Sequence, residues 1–366
     1  MRLFVKNLGP ISEASLSFDK PVTLMIGPNK IGKTLISRCI YATSRSFVNG
    51  EFKIDLFASC LLDHLWANID SLKYCISSNR DNFIIKIMGD DALFEAIFSE
   101  GKLTTRGGPL NVLAFYAPSY RTHFHIIKGL IFTTLYALTG MMKDVFDYDI
   151  KPQLTIFYRL YLLMKKGVLY WYLGSAFREW LPTSILDMIL ASLRIAFKHE
   201  EFDEYTKQLN VLNMWYEVPS GVVADIFAEV TIPIFITASG FQELYPQLLV
   251  IDTAIKYSKN TNSTIYIIID EPEAHLDLIN QIKYTRKLLD VLTSLASEGG
   301  DLRLIISTHS DIVVYSITRW LAEKGLTDKI RIYEFMDKEI VERSVDDVGE
   351  IYLKNISDAL DILYWR

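Results

Sequence analysis

The sequence predicts an α/β fold: N-terminal antiparallel strands, a parallel core sheet and a large helical insertion. Three observations predict it. The stretch Gly27-Pro28-Asn29-Lys30-Ile31-Gly32-Lys33-Thr34 fits the spacing G-x-x-x-x-G-K-[ST], with the apolar run Val22–Ile26 before it and a helix-like run after it. The C-terminal part alternates short apolar runs with longer helical ones, the pattern of parallel strands joined by helical crossovers. Residues 121–211 place apolar side chains at helical spacing, as in Leu130, Thr134, Ala137, Leu138, Met141 and Val145.

In order along the chain, Met1–Val5, Glu13–Phe18 and Val22–Ile26 read as strands, with turns at Gly9-Pro10 and Asp19-Lys20-Pro21. The glycine-rich stretch then bends into a helix over Thr34–Ser46, and Asn49-Gly50 marks a boundary. Residues 51–100 read as mostly helical, and Val112–Tyr116 as a strand closed by Pro118. After the helical stretch come strands at Met214–Val218 and Val222–Ile236. The alternation follows: helix Gln242–Tyr257, strand Thr264–Ile269, helix Asp277–Ala296, strand Leu302–Ile306, helix Ile312–Glu323, strand Ile330–Phe335 and a last helix Leu353–Tyr364. The expected organisation is a head built from 1–120 and 212–366, with 121–211 as an inserted helical subdomain.

Composition limits the classes of function. The chain has 366 residues, half of them hydrophobic and 13% aromatic, which excludes a disordered chain. A net charge of −6 with mixed signs gives no global attraction to nucleic acid. Three cysteines (Cys39, Cys60, Cys75) without C-x-x-C spacing argue against a disulfide or zinc framework. The most apolar windows, Gly129–Met142 and Leu154–Leu163, are too short for a bilayer span, and the N-terminus lacks a signal-peptide pattern. The expectation is a cytoplasmic protein without a membrane span.

The chemistry concentrates at the ends of three apolar runs. A turn rich in glycine lets backbone N–H groups converge on phosphate oxygens at a helix N-terminus. Gly27, Pro28, Asn29, Lys30, Ile31, Gly32, Lys33, Thr34 and the following Leu35 are therefore the expected nucleotide contacts. Lys33 would reach the β- and γ-phosphates, and the Thr34 hydroxyl would bind Mg²⁺. Ile265-Tyr266-Ile267-Ile268-Ile269 delivers Asp270 and Glu271 at a strand end, where ligands bind in open α/β sheets. Asp270 is placed for the Mg²⁺ shell and Glu271 for polarising an attacking water. One strand later His309 follows Leu304-Ile305-Ile306-Ser307-Thr308, placed to sense a γ-phosphate.

Together these motifs resemble the ATP-binding-cassette (ABC) class of P-loop ATPases, and within it the soluble SMC/RecF/OLD-like group. Phe4-Val5-Lys6-Asn7-Leu8-Gly9-Pro10-Ile11 is similar to the opening of these proteins, ahead of the Walker A loop. Asp270-Glu271-Pro272-Glu273-Ala274-His275-Leu276-Asp277 resembles their Walker B and D-loop, Ser307-Thr308-His309-Ser310 their switch histidine, and Ala238-Ser239-Gly240-Phe241-Gln242-Glu243 their signature. Tyr116-Ala117-Pro118-Ser119-Tyr120-Arg121 is similar to a Pro-x-x-Arg element of the group. The resemblance covers about residues 1–48 and 213–340 and leaves the helical remainder uncovered.

The resemblance implies an ABC-type head that takes ATP and Mg²⁺ and forms a head-to-tail homodimer around two nucleotides. Ser239 and Gly240 of one subunit would close on the γ-phosphate held by the other. It also implies work on DNA, in maintenance, repair or antiviral defence. Three departures stand out: Lys30-Ile31 precedes the second glycine, the signature opens Thr237-Ala238, and no Q-loop glutamine is evident. About 57 residues follow His309, too few for the nuclease domain of some OLD-like proteins, so a separate nuclease or toxin partner is expected to supply effector chemistry. The rival class is a nucleotide-switched adaptor or toxin regulator with incidental turnover. A transporter cassette fits less well, because the helical insertion and Glu271-Pro272-Glu273 are unlike one.

Overall fold

The computed structural model describes residues 1–119 and 261–354 with short gaps at 49, 64–66, 77–79, 90–91, 298–300 and 338, together with 222–224, 231–233 and single helical positions between 244 and 258. The chain divides into two compact units, Met1–Ser119 with Ala254–Arg366, and Tyr120–Thr253. The expected helical insertion 121–211, the strand Met214–Val218 and nearly all of the last helix lie outside the described residues.

The first unit opens with β1 (Arg2–Leu8) and β2 (Ile11–Ser17), an antiparallel hairpin turned at Gly9-Pro10. β3 (Val22–Ile26) is buried along its whole length, as expected of a strand covered on both faces. The glycine-rich loop leads into α1 (Lys33–Arg45), whose Ile36, Cys39, Ile40 and Thr43 form one buried stripe. A small hairpin of β4 (Phe47–Val48) and β5 (Glu51–Phe52) precedes α2 (Ile54–Leu62) and a 3-10 turn at Ile69–Cys75.

Three strands come next, β6 (Asn82–Met88), β7 (Leu93–Ser99) and β8 (Lys102–Gly107). They correct the expectation that 51–100 is mostly helical. In β6 the residues Phe83, Ile85 and Ile87 are buried and alternate with half-buried neighbours, a period of two rather than 3.6. The physical reason is tertiary: β1 has a second edge to satisfy, and β6 pairs with it from Arg2↔Met88 to Lys6↔Ile84. The resulting five-stranded antiparallel sheet runs β2-β1-β6-β7-β8. Its outer strand β8 exposes Lys102, Thr104 and Arg106, polar side chains that discourage edge-to-edge pairing.

β9 (Val112–Ala117) enters the other sheet. The second unit contributes, among the described residues, β10 (Val222–Ala224) paired antiparallel with β11 (Thr231–Pro233). Leu244, Gln247, Val250 and Ile251 are helical, within the expected helix Gln242–Tyr257. The first unit then resumes with β12 (Thr264–Asp270), α3 (Leu278–Ser297), β13 (Leu302–Thr308), α4 (Asp311–Glu323), a 3-10 turn at Thr327–Lys329, β14 (Ile330–Phe335) and β15 (Ile340–Arg343). β15 has no counterpart in the sequence reading; it is four residues long and pairs antiparallel with β14 at the sheet edge.

The core sheet has the order β15-β14-β3-β13-β12-β9, and every pairing from β14 to β9 is parallel. The antiparallel sheet is pinned to it by polar contacts. Tyr333 Oη accepts from Ser17 N at 2.7 Å, while Tyr266 Oη and Arg303 Nη1 donate to Phe18 O at 3.0 and 3.1 Å. A shared apolar core joins β1, β6 and β7 with the inner face of α1.

Candidate nucleotide site

Register brings the site together. Thr308 lies beside Ile26, Ser307 beside Asp270, and Ile269 beside Ala117, so β3, β13, β12 and β9 all end at one edge of the parallel sheet. In open α/β sheets this carboxyl edge is where ligands bind.

The loop from β3 to α1 holds a conformation only glycine sustains at two places. Gly27 has φ 149° and Gly32 φ 103°. A Cβ on Gly27 would collide with the Phe335 carbonyl oxygen, and one on Gly32 would lie 2.7 Å from the Ile11 side chain. Lys30, a non-glycine residue, is also left-handed at φ 68°. α1 starts at Lys33 with no side-chain cap and no acidic residue in its first turn, so its first N–H groups meet no competing side-chain acceptor. The Lys33 ammonium folds back over the loop and donates to Gly27 O and Pro28 O, both at 2.6 Å. Burial pushes its pKa down, against the pull of Glu271, Asp270 and Glu273.

Opposite the loop, Asp270 is fully buried and met by hydroxyl groups. Ser37 Oγ and Ser307 Oγ donate to Oδ1 at 3.0 and 2.5 Å, and Tyr116 Oη donates to Oδ2 at 2.6 Å. Burial and the adjacent Asp270 charge raise the Tyr116 phenol well above its ordinary value, which keeps it a donor. Glu271 turns the chain out of β12 in a left-handed conformation, φ 50°, with its N–H bound to Ser307 O at 2.7 Å. Its carboxylate reaches His309, Nε2 to Oε1 2.9 Å, and both side chains are about one-third exposed. This hydrogen bond, helped by the Glu271 charge, raises the His309 pKa against partial burial and the repulsion of Lys33.

Glu273 completes the acidic turn. Its Oε1 accepts from Thr308 Oγ1 at 2.6 Å and from His309 N at 3.0 Å, tying the turn after β12 to the end of β13. Its Oε2 is buried and accepts no hydrogen bond from the described residues.

Most predicted residues of the first unit thus converge: the loop, Lys33, Thr34, Asp270, Glu271 and His309 occupy one sheet edge. Ser239, Gly240 and Arg121 lie outside the described residues. Four contributors were given no role of their own by the sequence, three of them standing only as letters of quoted motifs. Ser37 is one helical turn beyond Thr34, Tyr116 and Ser307 sit near the ends of the strands flanking β12, and Glu273 was visible only as a letter of the acidic motif.

The residues fit Mg²⁺ and a nucleoside triphosphate. Among the described residues no group of three or more His, Cys, Asp or Glu is arranged to hold a metal by itself. Mg²⁺ suits such a place, because it commonly binds one or two carboxylates together with substrate phosphates and water. The glycine cradle, the uncapped helix start and the orphaned carboxylate oxygen of Glu273 are consistent with that pairing of anion and cation.

Residues 229–314 match the family model described as "AAA domain, putative AbiEii toxin, Type IV TA system". No curated protein matches the chain. Among solved structures, the recombination mediator protein RecF with ATP is similar at 13% identity, covering 93% of this chain and 98% of that one, with a TM-score of 0.44. The SMC head domain from Thermotoga maritima is similar at 12% identity, covering 94% and 98%, with a TM-score of 0.40. The parallel sheet order and the phosphate loop give the chain a P-loop NTPase fold, and the matched segment carries β12, β13, Asp270, Glu271 and His309; in its motifs the chain resembles SMC/RecF-like ABC-type ATPases. Among the described residues no helix is long and apolar enough to cross a membrane.

Proposed function

We propose that the chain is a Mg²⁺-dependent ATP hydrolase whose nucleotide state controls pairing of two copies. The observation that carries this reading is the Glu271–His309 contact of 2.9 Å, set beside a phosphate loop at the carboxyl edge of the sheet. In this reading the N–H groups of Asn29–Leu35 bind phosphate oxygens, and the Lys33 ammonium leaves the loop carbonyls to bridge the β- and γ-phosphates. Thr34 Oγ1 and Asp270 would hold the metal. When bound, Mg²⁺ supplies neutralising charge to the phosphate oxygens. Glu271 orients a water against the γ-phosphorus and accepts its proton, while the bond to the β-phosphate oxygen breaks. His309 fixes the Glu271 carboxylate and stands where γ-phosphate charge develops. Such positioned charge is where most catalysis of phosphoryl transfer resides.

Ser239 and Gly240, by the motif resemblance, would complete the site of a second copy, so that ATP joins two heads and hydrolysis releases them. The work served in this reading is DNA maintenance or defence, with a separate nuclease or toxin partner. A second reading, a nucleotide-switched toxin regulator with incidental turnover, draws on the matched family's description, which names a toxin and a type IV toxin–antitoxin system. DNA binding that changes with ATP and weakens steeply with salt favours the first; ATP-dependent binding of a protein partner alone favours the second.

The test is nucleotide binding and phosphate release with Mg²⁺. Wild type is expected to bind ATP and release phosphate, and Lys33→Ala to lose ATP binding by about 100-fold or more, the range for removing a charge-assisted contact in a dry site. Unchanged ATP affinity in Lys33→Ala would overturn the site assignment.

A further inference from the structure

We propose that Tyr116 is a positioning residue for the magnesium carboxylate, holding Asp270 in the orientation a metal ion meets. This rests on the reading of Asp270 as a metal-shell residue. Tyr116 lies on β9 beside Ile268 of β12, and Asp270 is two residues further along β12, on the same face of the sheet. The phenol therefore reaches diagonally across the strand pair, and its Oη donates to Asp270 Oδ2 at 2.6 Å. Both groups are buried, where a hydrogen bond to a carboxylate is shorter and roughly twice as strong as a neutral one.

The phenol is itself fixed. The Tyr41 ring packs against it with centroids 5.4 Å apart. Arg38, on α1, lies close enough for its charge to act on the phenol and is itself paired with Asp63. Asp63 caps α2 in a left-handed conformation, φ 53°, with its carboxylate 3.6 Å from Arg38 Nη2, and Arg38 Nη1 donates to Leu62 O at 3.2 Å. Asp63, the half-buried Arg38, Tyr116 and Asp270 thus line up from the end of α2 to the site. Simple filling of the core would need only the ring of Tyr116, not a hydroxyl aimed at the one fully buried carboxylate of the site. Partners of this outer shell typically change metal affinity by about 10- to 100-fold when removed.

The experiment compares wild type with Tyr116→Phe, which deletes the hydroxyl alone. Affinity for a fluorescent ATP analogue is titrated first in EDTA and then against Mg²⁺, and thermal melting is recorded alongside. The variant is expected to match wild type within about twofold in EDTA, while its Mg²⁺ midpoint rises by about tenfold or more. A lowered melting temperature with an unchanged Mg²⁺ midpoint would overturn the proposal and leave Tyr116 a packing residue. If wild type binds the analogue without any response to Mg²⁺, the metal reading of Asp270 fails, and this proposal fails with it. Should Tyr116→Phe not fold, Asp63→Asn tests the same line from its far end: the proposal requires a raised Mg²⁺ midpoint there, and an unchanged one refutes it.

Discussion

Asp270 is a carboxylate taken out of water, and hydroxyl donors from three different elements replace its hydration. Stripping water from an unpaired carboxylate costs several kcal/mol, so the cluster is as much a folding requirement as a chemical one. Asp270, Glu271 and Lys33 were legible in the sequence because their residue types stand at fixed offsets from an apolar strand or a glycine. The roles of Ser37, Tyr116 and Ser307 toward Asp270 were not, because a serine on a helix or a tyrosine in a strand has many ordinary explanations. Only register selects them. His309 carries a prediction at this scale. Its pKa is raised by Glu271, and a raised histidine pKa contributes stability at pH below the unfolded value, lost as pH climbs through the folded value. Ring titration by NMR should give a midpoint above the ordinary histidine value of about 6.5. In Glu271→Gln the midpoint should return toward that value; equal midpoints would remove the ion pair from the account.

Among elements, the parallel strands were the most readable. β3 and β12 are nearly continuous apolar runs and β13 and β14 are rich in Ile and Leu, the mark of strands buried on both faces, and each was placed to within two residues at either end. The antiparallel lobe after α2 was misjudged as helical. Asn82–Met88 contains Ile84 as well as Ile85 and Ile87, so apolar residues occur at helical and strand spacings alike. What decides is the open edge of β1, which sequence periodicity does not display. The strand assignment makes a graded prediction. Ile85 is buried in the core and Ile84 half-exposed. Ile85→Ala should cost about 2–5 kcal/mol in denaturant unfolding, and Ile84→Ala distinctly less. Equal losses would contradict the period-two packing.

At the scale of the molecule, the phosphate loop, Asp270 and Glu271 share one sheet edge, and in the proposed function the motif resemblance gives Ser239 and Gly240 of a second copy the part of closing the site. Ser239→Arg should leave ATP binding by the single head within about twofold, yet abolish ATP-dependent dimers on a sizing column, since a bulky cation replaces a small phosphate donor. An unchanged dimer would refute the role given to the signature.

The central claim is that Glu271 turns a nucleotide-binding loop into a hydrolytic site. Phosphate release by Glu271→Gln, measured with saturating ATP and Mg²⁺ against wild type, tests it most directly. The variant should keep ATP affinity while its release rate falls by about 100-fold or more, at least the lower end of the range for loss of a general base. Release at the wild-type rate would contradict it.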